Sequence, residues 1–231
     1  MGVLEAMADD VWLVSGDTVT GMGGFAYPTR AALIRLPDGR LWVWSPVGLT
    51  SPLREAVDAL GPVAHIVAPN GLHHLALADW HAAYPDARIH GAPGLADKRP
   101  DIPFAGELGD QPDPDWGGVI EPVAVRGNAI TTEIVFFHRP SGTVFFTDLI
   151  QHLPANWYSG WRKWIARWDA MTAPAPAVPR KFRLAFTDRK KARTAISQIL
   201  DWPIQTLVFA HGEPVTLDAK ACVAEAFAWL R

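Results

Sequence analysis

The sequence predicts an α+β fold, a four-layer αββα sandwich. Hairpin turns join apolar strands in both halves of the chain, at residues 37–39 (Pro-Asp-Gly) and 140–142 (Pro-Ser-Gly), so antiparallel pairing is expected. Segments with helical patterns follow the strands in each half. Two stacked sheets with helices on their outer faces would bury every apolar face. We therefore expect a single domain over residues 1–231, made of two β-rich halves, about 1–118 and 119–231.

The first half is predicted to contain five strands, two helices and a long connection. The strands are residues 11–14, 31–36, 41–44, 63–67 and 87–90. The helix at 51–60 has Ser51 as its N-cap, Pro52 at its first helical position and Gly61 as its stop. A second helix is predicted at 75–84. Residues 91–118 are rich in Pro, Gly and Asp, which predicts a long connection without structure of its own.

The second half is predicted to begin with strands and to end with helices around one last strand. The strands are residues 119–125, 133–138, 143–147 and 206–210. Helices are predicted at 157–168, at 188–200 with Asp188 as the cap, and at the C-terminus. A Pro- and Ala-rich stretch, 172–180, separates the first two of these helices.

Composition limits the classes of partner and compartment. With a formal charge of −3, and with neither a basic stripe nor a charge run, a nucleic-acid partner is not expected. No apolar run approaches the roughly 20 residues of a membrane span. The single cysteine, Cys222, excludes an internal disulfide, and the acidic start lacks the features of a secretory signal. We expect a cytoplasmic protein.

Polar side chains suited to metal binding follow three separate apolar strands. They are His73 and His74, Asp148, and His211. If these strand ends converge, the set suits one Zn²⁺ or Fe²⁺ ion, because neutral imidazole and carboxylate bind both metals. The alternative is a polar network without an ion, in which Asp148 accepts hydrogen bonds from the histidines.

The order of these motifs resembles the metallo-β-lactamase superfamily over nearly the whole chain. More closely, the chain resembles an uncharacterised branch of it, a domain of unknown function, in the segments at residues 27–30, 45–47, 60–63, 68–74, 136–138, 147–149 and 210–212. The resemblance implies the αββα fold and a metal-dependent hydrolase ancestry. It does not identify a substrate.

The chain departs from the superfamily pattern HxHxDH at the first metal site. When the end of that pattern is aligned with His73 and His74, Pro69 and Gly71 fall where its first two histidines should be, and Asn128 replaces a third. Pro and Gly side chains cannot ligate a metal. The resemblance implies that only the second site survives, as a mononuclear site of four ligands: His73, His74, Asp148 and His211. A two-metal mechanism is not supported.

Three further residues are candidates for contacts to the substrate or to the metal ligands: Asn70, Arg30 and Asn128. Asn70 would otherwise form an Asx turn before Gly71. Arg30 could bind an anionic group or form a structural salt bridge. His138 and Glu133 lie on opposite faces of one strand, so we do not expect both in one pocket. No catalytic residue is assigned.

Trp157, Trp161, Trp164 and Trp168 share one face of the helix predicted at 157–168. We expect this face to pack onto the sandwich or to form a homodimer, and contact with lipid or with a hydrophobic substrate is the alternative.

Two functions are compatible with the sequence. The first is a metal-dependent, hydrolase-like protein with at most one ion and an unidentified substrate. The second is a non-catalytic descendant that binds a small molecule or a partner without metal, as the replacements at Pro69, Gly71 and Asn128 suggest.

Overall fold

The computed structural model describes residues 4–230 and contains two β-sheets. The larger sheet has seven strands in sequential order: β1 (Glu5–Ala8), β2 (Val11–Thr20), β3 (Ala26–Arg35), β4 (Leu41–Trp44), β5 (Val63–Ala68), β6 (Arg88–Gly91) and β7 (Phe104–Glu107). Strands β1 to β4 pair antiparallel, and β4 to β7 pair parallel. The parallel half sends the carboxyl ends of β4 and β5 to one edge, where the site lies.

The second sheet has four strands: β8 (Ile120–Val125), β9 (Glu133–His138), β10 (Thr143–His152) and β11 (Thr206–Gly212). Their order is β11-β10-β9-β8, with β10 and β11 parallel and the other pairs antiparallel. The predicted hairpin turn at residues 140–142 joins β9 to β10, with His138 opposite Thr143. Gly142 has a φ of 61°, which a glycine adopts without steric cost.

Seven α-helices lie within residues 4–230, and most of them cover the outer faces of the two sheets. They are α1 (Ser51–Leu60), α2 (Leu77–Ala83), α3 (Leu95–Lys98), α4 (Gly160–Trp168), α5 (Arg180–Ala185), α6 (Arg189–Asp201) and α7 (Ala219–Ala226). Leu53, Val57 and Trp80 of α1 and α2 pack on the first sheet. Ile196 and Val223, from α6 and α7, pack on the second. The αββα sandwich predicted from the sequence is confirmed.

Aromatic side chains fill the space between the two sheets. Trp42 and Trp44 of β4 both point to the inner face of the sheet, because residues two apart in a strand lie on the same face. The Trp42 ring centre lies 5.0 Å from that of Phe136, and the Trp44 ring centre lies 5.5 Å from that of Phe145. These four fully buried rings hold the sheets together and so fix the strands that carry the site.

The structure differs from the sequence prediction in several places. The long connection predicted at 91–118 contains α3 and β7, because β7 adds an edge strand to the first sheet beside β6. Helix α1 is capped by Thr50, whose hydroxyl accepts from the Leu53 amide, and Ser51 is already helical. The region before residue 11 holds the unpredicted edge strand β1.

The helix predicted at 157–168 begins at Gly160, and its Trp face is exposed. The prediction that this face packs onto the sandwich is therefore wrong. The side of α4 that packs inward carries the small residue Ala166, which fits close to Tyr158 and Met171. Within residues 4–230 we find no helix with the length and hydropathy of a membrane span.

Gly212 occupies a position where a side chain should be excluded by both conformation and space. Its φ is 154°, and a Cβ would meet the ring of Phe209 and lie 2.6 Å from the His152 carbonyl oxygen. We predict that Gly212→Ala lowers the free energy of unfolding by about 1–3 kcal/mol more than Gly39→Ala, measured by denaturant unfolding. Gly39 is the matched control, since its φ is 85° but no atom lies within 4 Å of the added Cβ. Equal losses would contradict the argument.

Two buried histidines should make the fold sensitive to acid. Burial lowers the pKa of both His90 and His138 from 6.5 to about 4. Between these values the unfolded chain binds more protons than the folded chain, so stability is lost as pH falls from 6.5 towards 4. By about pH 5 we expect a loss of up to about 2 kcal/mol per histidine.

The measurement is denaturant unfolding at about pH 7 and about pH 5. His90→Gln and His138→Gln should each reduce the difference between the two pH values. If both variants keep the full wild-type difference, burial of these histidines is not its cause.

Candidate metal centre

Three of the predicted ligands converge at one edge of the sandwich. His73 follows β5, Asp148 lies in β10 and His211 lies in β11. One ligand atom from each lies within 4.8 Å of the other two. Asp148 is placed by an irregularity in β10, which pairs with β11 at Phe146 and again at Gln151 while β11 advances from Phe209 to His211. Such bulges redirect side chains beside functional sites.

The orientation of His211 is set by the strand on the opposite sheet. Its Nδ1 lies 2.7 Å from the carbonyl oxygen of Pro28 in β3. A carbonyl oxygen only accepts, so Nδ1 carries a proton and donates it. The other ring nitrogen, Nε2, faces Asp148 Oδ1 at 3.3 Å. In the neutral ring this nitrogen therefore presents its lone pair to the carboxylate.

His73 is held in a similar way. Its Nδ1 lies 2.8 Å from the hydroxyl oxygen of Ser45, and its Nε2 lies 3.2 Å from Asp148 Oδ2. Ser45 is buried immediately after β4 and has a φ of 50°, a conformation that non-glycine residues rarely adopt. Both histidines thus use Nδ1 for an orienting contact and direct Nε2 at the same carboxylate.

A second buried carboxylate, Glu133, fixes the backbone around Asp148. It accepts hydrogen bonds from the amides of Thr147, Asp148 and Leu149 at 2.8, 2.8 and 3.1 Å. The side-chain amide of Asn70 donates to Asp148 at 2.7 Å and to Glu133 at 3.3 Å. The two carboxylates are therefore separated by shared N–H donors.

The two carboxylates have opposite pKa shifts. Burial, and then the charge of Asp148, raise the pKa of Glu133. Burial alone would also raise the pKa of Asp148, but positive charge and N–H donors on the facing rings of His73 and His211 outweigh it and hold that pKa well below its usual range. A positive charge beside the carboxylate therefore keeps Asp148 ionised, which is the state in which a carboxylate binds a metal.

In the loop after β5, hydrogen bonds hold the backbone at Pro69 and Gly71, the positions that depart from the superfamily pattern. The Asn70 side-chain oxygen accepts from the amides of Leu72 and His73 at 2.8 and 3.1 Å, which is the Asx-turn contact. The Pro69 carbonyl accepts from Ile134 of β9 at 2.8 Å, and the Gly71 amide donates to the Thr131 hydroxyl at 3.1 Å. Pro69 and Gly71 thus supply backbone contacts at the positions where the superfamily pattern has ligands.

The structure does not bring His74 into the cluster. Its Nδ1 lies 3.1 Å from the Arg99 guanidinium, which also donates to the His74 carbonyl at 2.9 Å. The Asx turn sends consecutive side chains in different directions, so His73 faces Asp148 while His74 faces α3 and the residue after it. Burial, followed by the charges of Lys98 and Arg99, lowers the pKa of His74. Its role as a ligand stays a prediction.

The other predicted candidates have separate structural contacts. Arg30 is buried and donates to the carbonyls of Phe209 and Gly212, on both sides of His211, and it pairs with Glu213 at 3.4 Å. Asn128 donates to the Phe182 carbonyl at 2.9 Å and accepts from the Ile130 amide at 3.0 Å. Arg30 therefore supports the backbone that carries His211, whereas Asn128 ties the chain to α5.

Sequence reasoning did not place two residues that support the site, Ser45 and Glu133. Ser45 follows the apolar strand β4, the same signal that selected Asp148 and His211. Glu133 begins β9, where a lone carboxylate ahead of four apolar residues resembles an exposed strand end. His138, at the other end of β9, is buried away from the cluster with its Nδ1 2.8 Å from Ser141 Oγ.

Comparison with known proteins identifies a family and a fold. A family model described as "Domain of unknown function (DUF4336)" matches residues 8–159. No curated protein matches the sequence.

Solved metallo-β-lactamases resemble the structure along almost their whole length. The enzyme from Pontibacter korlensis is 14% identical with a TM-score of 0.64, and 99% of each chain is covered. The mono-zinc form of FIM-1 from Pseudomonas aeruginosa is 12% identical with a TM-score of 0.66, covering 99% of this chain and 95% of that one. The enzyme from Hirschia baltica is 10% identical with a TM-score of 0.64, and 97% of each chain is covered. At these identities the likeness shows the fold, and the sandwich is the metallo-β-lactamase fold predicted from the motifs.

The buried carboxylate of Glu133 should contribute to stability, because it accepts hydrogen bonds from three backbone amides of β10. We predict that Glu133→Gln lowers the free energy of unfolding by about 1–3 kcal/mol, because a carboxamide replaces one accepting oxygen with a donor that opposes backbone N–H groups. Denaturant unfolding measures this change. Glu121→Gln on β8 is the matched control: Glu121 pairs with Arg139 near the surface, and we expect a change within about 0.5 kcal/mol. Equal effects would show that the buried carboxylate is not specifically required.

Proposed function

The chain belongs to the DUF4336 family and has the metallo-β-lactamase fold, and on this basis we propose that it is a metal-dependent hydrolase-like protein with a mononuclear site. His73 Nε2, Asp148 and His211 Nε2 would hold the ion. Zn²⁺ suits this donor set best, and Fe²⁺ is the alternative. We also propose that the protein is located in the cytoplasm, because its single cysteine, Cys222, suits a reducing compartment.

The observation that carries the proposal is the arrangement around His211. Because Nδ1 donates to the Pro28 carbonyl, a neutral His211 has a lone pair on Nε2 directed at the Asp148 carboxylate. A lone pair and an anionic oxygen repel each other at 3.3 Å. A positive charge between them removes this repulsion, and it is either a proton on Nε2 or a metal ion bound by both groups.

The spacing of the donors fits the metal. Ligands about 2.0–2.2 Å from a tetrahedral ion lie roughly 3.3–3.6 Å from one another. The two nitrogen-to-oxygen separations are 3.2 and 3.3 Å, and they run to different oxygens of Asp148. Both values lie near the spacing of ligands around one ion and at the long end for N–H···O hydrogen bonds. The donor spacing is therefore compatible with a shared ion.

The chain's own residues hold the donors in place. Ser45 and the Pro28 carbonyl orient the two imidazole rings, while Asn70 and the backbone held by Glu133 orient the carboxylate. A bound metal of this kind polarises a carbonyl or phosphoryl group and lowers the pKa of water. Three protein donors leave coordination positions free for water and substrate, as catalytic sites require. The substrate class is an ester, thioester, amide or phosphoester.

A metal-free binding protein is the second candidate. It is favoured by the loss of ligands at Pro69, Gly71 and Asn128 and by the Asn70 hydrogen bond to Asp148. In that case the side chains of His73, Asp148 and His211 form a charged hydrogen-bonded network that holds this edge of the sandwich in place without a metal. Metal content distinguishes the two candidates.

We predict that protein purified without chelators contains one zinc or iron ion per chain, measured by elemental mass spectrometry. His73→Ala and His211→Ala should each abolish stoichiometric metal, because each removes a donor from a three-donor set. Ser45→Ala should weaken metal affinity by about 10–100-fold by releasing the His73 ring.

His74→Ala is the matched control, since it alters the neighbouring histidine that faces Arg99. We expect it to retain the metal. Loss of metal in this variant would restore His74 as a ligand and require the loop to rearrange. Substoichiometric metal that His73→Ala and His211→Ala leave unchanged would reject the mononuclear site and favour the metal-free candidate.

A further inference from the structure

Helix α4 and the turn before it present a continuous apolar stripe to solvent. We define the Trp patch as Trp157, Trp161, Trp164, Ile165 and Trp168. Trp161, Trp164 and Trp168 are 55%, 70% and 59% exposed. The helix packs inward through a different side, where Ala166 and the following Asp169 are buried. The apolar stripe therefore stays exposed although α4 packs on the protein through its other side. Large exposed patches of this kind mark interaction surfaces.

The helices around the patch carry a strong positive charge. Residues 160–193 contain ten of the 21 Lys and Arg residues but two of the 24 Asp and Glu residues. This segment has a formal charge of +8, and the rest of the chain has −11. The expectation that the chain has no basic stretch is wrong for this segment, because the net charge of −3 conceals the asymmetry.

Cations lie directly against the patch at both ends. The Arg162 guanidinium is 4.6 Å from the Trp161 ring centre, and the Arg180 guanidinium is 5.5 Å from that of Trp168. One of the two acidic groups, Asp169, is buried and forms an ion pair with Lys181, whose Nζ lies 3.2 Å from the carboxylate. The other, Asp188, pairs with Lys191 at 3.3 Å. The acidic residues of the segment are thus already paired, and the surface facing a partner is basic.

We propose that the Trp patch docks this protein on the surface of an anionic lipid bilayer. Indole rings favour the boundary between headgroups and acyl chains, and Lys and Arg beside them attract anionic headgroups. The proposal concerns attachment to the surface and is independent of the metal proposed above.

A second copy of the chain fits this surface less well. An isologous dimer places the same patch on both sides of the interface. Arg162 and Arg180, the cations against the two ends of the patch, would then be brought close to the same cations of the other copy. Repulsion between like charges opposes such contact, whereas an anionic bilayer supplies the opposite charge.

A nucleic acid also carries negative charge, but aliphatic side chains beside the patch favour lipid. Ile165 lies within the patch. Met22, 96% exposed, precedes Gly23, whose carbonyl accepts from Arg162 at 3.0 Å. Leu184, 73% exposed, lies one helical turn after Arg180 on α5. These side chains gain free energy in hydrocarbon, but they offer no ring on which a base can stack.

The test is flotation of the purified full chain with phosphatidylcholine vesicles, with and without phosphatidylserine. We expect binding that requires phosphatidylserine and weakens with added salt. Trp164→Ser with Trp168→Ser should weaken vesicle binding at least about tenfold by removing apolar area. Arg162→Glu with Arg180→Glu should weaken it about tenfold or more by reversing the two charges that lie against the patch.

Leu217→Ser and Lys220→Glu are the matched controls, because both residues are exposed on the chain outside the patch. They should bind vesicles as the wild type does, and every variant should keep the wild-type unfolding midpoint. Three results would overturn the proposal. The first is that the chain binds neither type of vesicle but forms a dimer, seen by sedimentation, that the double variant Trp164→Ser with Trp168→Ser dissociates. The second is binding of a single-stranded oligonucleotide without vesicle binding. The third is vesicle binding that the patch and charge variants leave unchanged.

Discussion

Hydrogen bonds to the buried carboxylate of Glu133 hold together the part of the structure on which the candidate site depends. Three consecutive amides, from Thr147 to Leu149, donate to it where β10 departs from its register with β11. Without these bonds, the irregular backbone would bury unpaired N–H groups at substantial cost. The same bonds fix the direction in which Asp148 leaves β10. The position of the Asp148 carboxylate in the candidate site is thus a consequence of a structural carboxylate on the neighbouring strand.

The remaining donors are fixed by contacts that cross between the two sheets. His211 belongs to the second sheet, but its ring is oriented by the Pro28 carbonyl of the first. His73 follows a strand of the first sheet and faces Asp148 of the second. The aromatic layer of Trp42, Trp44 and their partners maintains the sheet separation that these contacts need. A rigid scaffold with preorganised donors is what a site with few ligands requires.

The loop after β5 is held by backbone contacts at the two positions where the superfamily pattern has its first histidines. Pro69 and Gly71 use their backbone groups to tie the loop to β9 and to Thr131. This fixes the loop without a metal at those positions and leaves Asn70 free to bridge both carboxylates. The basic segment around α4 joins the same region, since Trp157 and Tyr158 both donate to the Ala26 carbonyl of β3, two residues before Pro28. The segment that carries the exposed patch and the His211 ring thus both donate hydrogen bonds to carbonyls of β3.

The sequence by itself determined most of the strands and helices, the αββα class and three residues of the cluster, His73, Asp148 and His211. These follow from local signals: side-chain period, turn chemistry and polar residues at strand ends. Only the tertiary structure decided which of two adjacent histidines faces the carboxylate, because the Asx turn at Asn70 sets their directions. It also placed Ser45 and Glu133, which lie 28 and 15 residues from the side chain or amide they contact. Pairing over such separations depends on strand register and sheet packing, and neither is encoded in a local pattern. The exposure of the Trp face has the same origin, since periodicity shows that a helix has an apolar side but only packing shows whether that side is covered.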